Sequence, residues 1–123
     1  MNRKKRILLV DDERDFVDSL AERLNLRGFD TCVAHDGDEA LQVLQNETFF
    51  AMVLDLRMPN TDGFQVLEAL NQQKERDMPV IVLTGHGSAK DKETCMGLGA
   101  KAYMHKPVDV AELVTTLRQV MGV

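Results

Sequence analysis

Three carboxylates, a hydroxyl and an ammonium stand at the ends of apolar runs. Asp11 and Asp12 follow Ile7-Leu8-Leu9-Val10, and Asp55 follows Phe49-Phe50-Ala51-Met52-Val53-Leu54. Thr84 closes Val80-Ile81-Val82-Leu83, and Lys106 comes shortly after Ala102-Tyr103-Met104. A packed core has no use for that set in one place, but metal-assisted phosphoryl chemistry does. Hard oxygen ligands hold a divalent cation, and the cation offsets the negative charge of a transferring phosphoryl group. Three carboxylates brought together without a cation raise at least one pKa by like-charge crowding. An incomplete ligand set, with room for waters and a phosphate oxygen, suits Mg2+ best. No His or Cys among the run ends points to a softer metal.

Whether these residues meet depends on the elements that carry them. An apolar run of four to six residues is the mark of a strand covered on both faces. The pattern predicts strands over 7–10, 30–34, 49–55, from Pro79 to Thr84, and over 101–104. Helical spacing lies between them. Phe16, Leu20 and Leu24 define a helix over 15–27 that Gly28 ends. Further helices are predicted over 38–46, 63–73, from a Ser88 cap to 98, and after an Asp109 cap. Pro59 to Gly63 reads as a loop. Five strand–helix units, (βα)5, imply a doubly wound parallel sheet with helices on both faces. The flavodoxin-like strand order 2-1-3-4-5 is the expected topology. Ligands in such sheets sit outside the carboxyl ends of the strands, at the switch point between strands 1 and 3. That rule gathers Asp11, Asp12 and Asp55, with Thr84 and Lys106 at the border.

The 123 residues fit one domain spanning 1–123. A net charge of −5 argues against direct nucleic-acid binding and against adsorption to anionic membranes. Cys32 and Cys95 make no disulfide framework and read as reduced thiols of a cytoplasmic protein. Asn2 to Arg6 looks like the basic start of a signal peptide, but only four apolar residues follow before Asp11. No segment has the length of a membrane span.

Taken in order, Asp11-Asp12-Glu13, Asp55 with Pro59 and Gly63 downstream, Thr84-Gly85 and Lys106-Pro107 resemble the receiver domains of two-component response regulators. The resemblance runs from the first strand to the last helix. It implies that Asp55 accepts a phosphoryl group from a phosphohistidine on a sensor histidine kinase or phosphotransfer domain. It implies Mg2+ on Asp12, Asp55 and the backbone carbonyl of Arg57, with Asp11 acting mainly through water. Lys106 and Thr84 would each contact a phosphoryl oxygen, and Lys106–Pro107 is a candidate cis peptide. Thr84 and Tyr103 would form the switch. The signal would leave on the face of the fourth helix, fifth strand and fifth helix. An effector domain or separate output protein, a transcriptional output and a phosphorylation-dependent dimer all belong to that class. The chain would be a switch rather than an enzyme, assisting at most its own phosphorylation and dephosphorylation.

Other readings compete. A haloacid-dehalogenase-like Mg2+ phosphatase also forms an aspartyl phosphate. That class wants an acid two residues past the nucleophile, where Arg57 stands, and it usually carries a cap domain. A flavin or nucleotide carrier would need a Gly, Ser and Thr loop after strand 1, where Asp11, Asp12, Glu13 and Asp15 stand. The Arg57 side chain is expected to point to water, with contact to the phosphoryl group as the alternative, and His86 reads as an exposed loop histidine. Receivers of the winged-helix class usually carry two acids before the strand-5 aromatic and Phe after Lys-Pro. Here those places hold Lys101, Ala102 and Val108.

Overall fold

The computed structural model describes residues 4–73 and 77–123. Ten elements alternate: β1 (Lys5–Val10), α1 (Arg14–Leu26), β2 (Phe29–Ala34), α2 (Gly37–Asn46), β3 (Ala51–Leu54), α3 (Gly63–Asn71), β4 (Val80–Thr84), α4 (Ala89–Gly97), β5 (Ala102–His105) and α5 (Val110–Met121). The strands form one sheet in the order β2-β1-β3-β4-β5, and every pair is parallel. This is the (βα)5 topology that the alternation predicts.

The central strands show why unbroken apolar runs were needed. Leu8 and Val10 of β1 enter one core with Met52, Leu54 and Val82 of the neighbouring strands, against Leu44 of α2 and Leu67 of α3. Ile7 and Leu9 enter the other core with Val53, Ile81 and Leu83, against Leu20 of α1 and Leu117 of α5. Successive side chains point to opposite faces. With helices on both sides, neither set can be polar. Full burial of each large aliphatic side chain contributes about 1.5–3 kcal/mol.

Caps set the helix starts. Asp36, Asp62, Ser88 and Asp109 each accept the backbone N–H three residues on, a bond worth about 0.5–2 kcal/mol at such positions. Gly28 and Gly99 sit just past α1 and α4 with φ of 93° and 101°, the left-handed geometry that ends helices on glycine.

Most boundaries fall within a residue or two of the sequence pattern. The clearest difference is β3, which begins at Ala51 rather than Phe49. Phe49 is buried without joining the ladder, and Phe50 is 51% exposed. The Lys5 ammonium lies 4.3 Å from the Phe50 ring centroid. α3 ends at Asn71, two residues before its predicted end. Of the basic start, Asn2 and Arg3 lie outside the described residues, and Lys5 and Arg6 open β1. Among the described residues no helix is long and apolar enough to cross a membrane.

Candidate functional site

The site is built from backbone that continues the sheet one residue past its strands. Asp11 N–H donates to Ala34 O at 3.0 Å, Asp55 N–H to Val10 O at 3.0 Å, and Lys106 N–H to Thr84 O at 2.9 Å. The backbone of each of these three residues is thereby fixed by its neighbour strand. The parallel register pairs Val10 with Leu54 and Thr84 with His105. Asp11, Asp55 and Lys106 consequently emerge along one edge, as the strand-end rule predicts.

Asp11, Asp55 and Thr84 are 4%, 5% and 0% exposed and are the buried polar or charged side chains among the described residues. Asp12 is exposed. One carboxylate oxygen from each of Asp11, Asp12 and Asp55 lies within 4.8 Å of the others. The Lys106 ammonium lies 2.8 Å from Asp11 Oδ2, 2.7 Å from Glu13 Oε1 and 3.9 Å from Asp55 Oδ2. It also sits 4.4 Å from the Phe16 ring centroid. Leu56 N–H donates to Asp55 Oδ1 and Glu13 N–H to Asp11 Oδ1, both at 2.9 Å. Lys106–Pro107 is cis.

Burial pushes the Asp55 carboxyl up to about 6 from its ordinary 3.8, and the Asp11 charge adds to the rise. Lys106 and the Leu56 N–H pull the other way without cancelling it. Asp11 is raised too, mainly by burial, against its bond to Lys106. At Asp55 desolvation leads, and the like-charge crowding expected of gathered carboxylates adds to it. Burial alone would lower the Lys106 pKa, but its bonds to Asp11 and Glu13 carry it above the ordinary lysine value. The donor set fits a hard divalent cation: three carboxylates converge, no His or Cys joins them, and the exposed Asp12 leaves one side open to water.

A cleft of about 350 Å3 opens beside this cluster, lined by Asp12, Arg57 and Met58 and by Pro59 and Asp62 beyond them. Its rim is the loop between β3 and α3, where Asn60 takes a φ of 65°, a conformation that asparagine tolerates. A hollow of about 500 Å3, lined by Phe50, Val80 and Lys101, lies at the opposite, amino end of the strands, away from the acids.

Two contacts add to what the sequence led us to expect. The Arg57 side chain is exposed, yet its Nη2 lies 3.2 Å from Asp91 Oδ2 in the first turn of α4. Glu13, named only as part of an acidic triplet, is a direct partner of Lys106. Three consecutive acids signalled a site there, but nothing in the spacing of Asp91 signalled its pairing with Arg57. His86 is exposed as expected, and its N–H lies 3.4 Å from Thr84 Oγ1. Tyr103 is half-buried with its ring edge-on to His105, 5.3 Å between centroids.

Comparison with known proteins agrees with this geometry. A family model described as the response regulator receiver domain matches residues 7–118. The chain is 40% identical over 116 residues to the transcriptional regulatory protein CpxR of Escherichia coli strain K12, covering 94% of this chain and 49% of that protein. It is 41% identical over 118 residues to the probable transcriptional regulator ycf27 of Cyanophora paradoxa, covering 96% and 48%. The chain thus spans about half the length of the curated relatives it matches. A CheY-like receiver domain protein from Methanospirillum hungatei JF-1 superposes with a TM-score of 0.92 at 29% identity, over 98% of this chain and 95% of that one. A Burkholderia pseudomallei response regulator, solved with a phosphorylated aspartic acid, calcium ion and citrate, gives 0.87 at 30% identity, over 97% and 69%. The haloacid-dehalogenase-like alternative falls with that match, and with the arginine at residue 57.

Proposed function

The chain belongs to the response regulator receiver family, and from that membership we propose that Asp55 takes a phosphoryl group from a phosphohistidine and relays its arrival to an output partner. The chain is a signalling switch. The observation that carries the assignment is the buried Asp55 carboxylate, joined by two further carboxylates within 4.8 Å and by an ammonium at 3.9 Å.

In the transfer an Asp55 oxygen attacks phosphorus. The phosphorus–nitrogen bond of the phosphohistidine breaks, its electron pair returns to the imidazole, and that nitrogen takes a proton from water. The Leu56 N–H orients the carboxylate by holding Oδ1. The raised pKa still leaves Asp55 mostly ionised, and so nucleophilic, at neutral pH. Lys106 is a compact charge on a flexible stem. It can leave Glu13 and Asp11 for a phosphoryl oxygen as the negative charge grows. Thr84 offers its hydroxyl to another. Asp12, Asp55 and the Arg57 backbone carbonyl would hold Mg2+, with Asp11 behind a water, and the bound ion would neutralise charge on the acceptor and phosphoryl oxygens. The chain's own part in phosphorylation and dephosphorylation is confined to these groups.

A new phosphoryl group brings about −1.5 to −2 charge and three acceptor oxygens. Thr84 and Tyr103 would convert it into a shift between two populations at the face of α4, β5 and α5. The matched relatives are about twice as long and carry the names of transcriptional regulators. An effector half and a transcriptional output are the corresponding proposals, with a sensor kinase as donor, a phosphorylation-dependent dimer, and a cytoplasmic setting.

The test is incubation with Mg2+ and a small phosphodonor, followed by intact mass and site mapping. One phosphoryl group on Asp55, absent from Asp55→Asn and from chelated samples, is the expected result. Modification at another residue, or none, would refute the assignment.

A further inference from the structure

The Tyr103 hydroxyl fills the space that any side chain at residue 87 would need. A Cβ built on Gly87 would overlap that hydroxyl, and it would lie 2.7 Å from Tyr103 Cζ and 2.8 Å from Thr84 Cγ2. Gly87 is not among the glycines with positive φ. Its requirement is therefore room and not backbone freedom. Any larger residue there must displace something.

The surroundings decide what moves. Thr84 is fully buried at the end of β4, in register with His105 of β5. On the other side, Ser88 is fixed as the cap of α4: its hydroxyl accepts Asp91 N–H at 3.1 Å, and its own N–H donates to Asp91 Oδ2 at 3.2 Å. The loop is pinned at both ends. Tyr103 is the element free to yield. It lies on the edge strand, it is half-buried, and its buried hydroxyl has no hydrogen-bond partner among the described residues. A buried hydroxyl without a partner gains nothing by staying.

We propose that Gly87 is the positioning residue for Tyr103: it is the seat that admits the ring beneath the β4–α4 loop, and the residue at position 87 sets the balance between the inward ring and one turned out onto the surface beside α4. The consequence for signalling rests on the reading of Tyr103 as part of the switch, whereas the seating itself depends only on packing.

The chain offers its own probe. Tyr103 is the sole tyrosine and there is no tryptophan, so intrinsic emission reports this ring alone. In Gly87→Ala the emission is expected to lose its protection from acrylamide. The phenol, now raised mainly by burial, should titrate closer to its ordinary value. Unchanged quenching and titration in a folded Gly87→Ala would overturn the proposal. A stability cycle separates this from a general packing defect. Gly87→Ala should lower the urea midpoint in the native background and lose most of that effect in Tyr103→Ala. An equal loss in both backgrounds puts the clash on Thr84 or the loop, and the proposal fails. If Gly87→Ala does not fold, Gly87→Ala/Tyr103→Ala should. If neither folds, the seat is not the cause. None of these readouts involves phosphate, so a failure of Asp55 to accept a phosphoryl group would leave this result standing, and the converse holds.

Discussion

Glu13 Oε1 stands 2.7 Å from the Lys106 ammonium, 93 residues away in the chain. The lysine is therefore held from outside the three-carboxylate cluster as well as by Asp11. The Glu13 side chain is 62% exposed and that of Lys106 12%. An ion pair with one exposed partner contributes about 0–1 kcal/mol. Glu13→Gln should cost no more than that in urea denaturation. Lys106→Met strands Asp11 and Asp55 without a counter-charge and should cost about 2–4 kcal/mol near neutral pH, part of it restored by added Mg2+. Equal losses in the two variants would make Glu13 the real anchor.

The Asp55 shift has a definite sign. Its folded pKa, about 6, lies above the ordinary 3.8. Native protein thus binds the proton more tightly than unfolded chain does. The associated stability is complete below about pH 4 and is lost as pH rises through 6. The loss at neutral pH is about 3 kcal/mol by linkage. Asp55→Asn should therefore stabilise the chelator-treated protein near neutral pH by about 1–3 kcal/mol. The gain should shrink as pH falls from 6 to 4. Urea midpoints across that window check it, and a pH-independent gain would assign the effect to something other than titration.

The residues of this site were legible because the fold forces them to be. β1, β3 and β4 are covered on both faces, so the first polar residue after each run marks a strand end. Asp11, Asp55 and Thr84 are those residues. The start of β3 was not legible. Phe49 and Phe50 prolong the apolar run, yet both precede the ladder, one buried and one exposed, and hydrophobicity does not distinguish these situations from a strand. α4 buries little beyond Cys95 among the described residues, and its place was set by Ser88 and Gly99 instead of by periodicity. The pairs Glu13–Lys106 and Arg57–Asp91 were beyond reach. They depend on loop path and rotamer across 93 and 34 residues, which no local pattern encodes.

Arg57 and Asp91 separate two roles that the sequence confounds. Asp91 Oδ2 receives both Arg57 Nη2 and the Ser88 N–H, each at 3.2 Å. Asp91→Ala removes half of a capping box and should cost about 0.5–2 kcal/mol. Arg57→Ala removes only an exposed pair, about 0–1 kcal/mol. If residue 57 serves the metal through its backbone carbonyl, Arg57→Ala should also keep its Mg2+ affinity. Thermal melts and an Mg2+ titration read both. Loss of Mg2+ binding in Arg57→Ala would place the side chain, not the carbonyl, in the site.

Gly63 ties the helix after the site to Asp55 itself. Its N–H donates to Leu56 O at 3.0 Å. A Cβ on it would overlap the Asp55 carbonyl oxygen and lie 2.8 Å from Leu56 Cα. These are backbone atoms, so no flexible side chain can yield. α3 cannot slide away either, because Val66, Leu67 and Leu70 are buried behind it and Asp62 with Gln65 closes its capping box. The displacement must pass into the loop and Asp55. Gly63→Ala should cost about 1–3 kcal/mol and weaken Mg2+ binding and phosphorylation together. Gly28→Ala is the control. Its Cβ would meet nothing, and its cost comes from a φ of 93° alone, about 1–2 kcal/mol. It should lose stability to a similar degree and keep phosphorylation intact. If both variants lose phosphorylation alike, general destabilisation explains it; if only Gly63→Ala does, the contact with Asp55 is the cause.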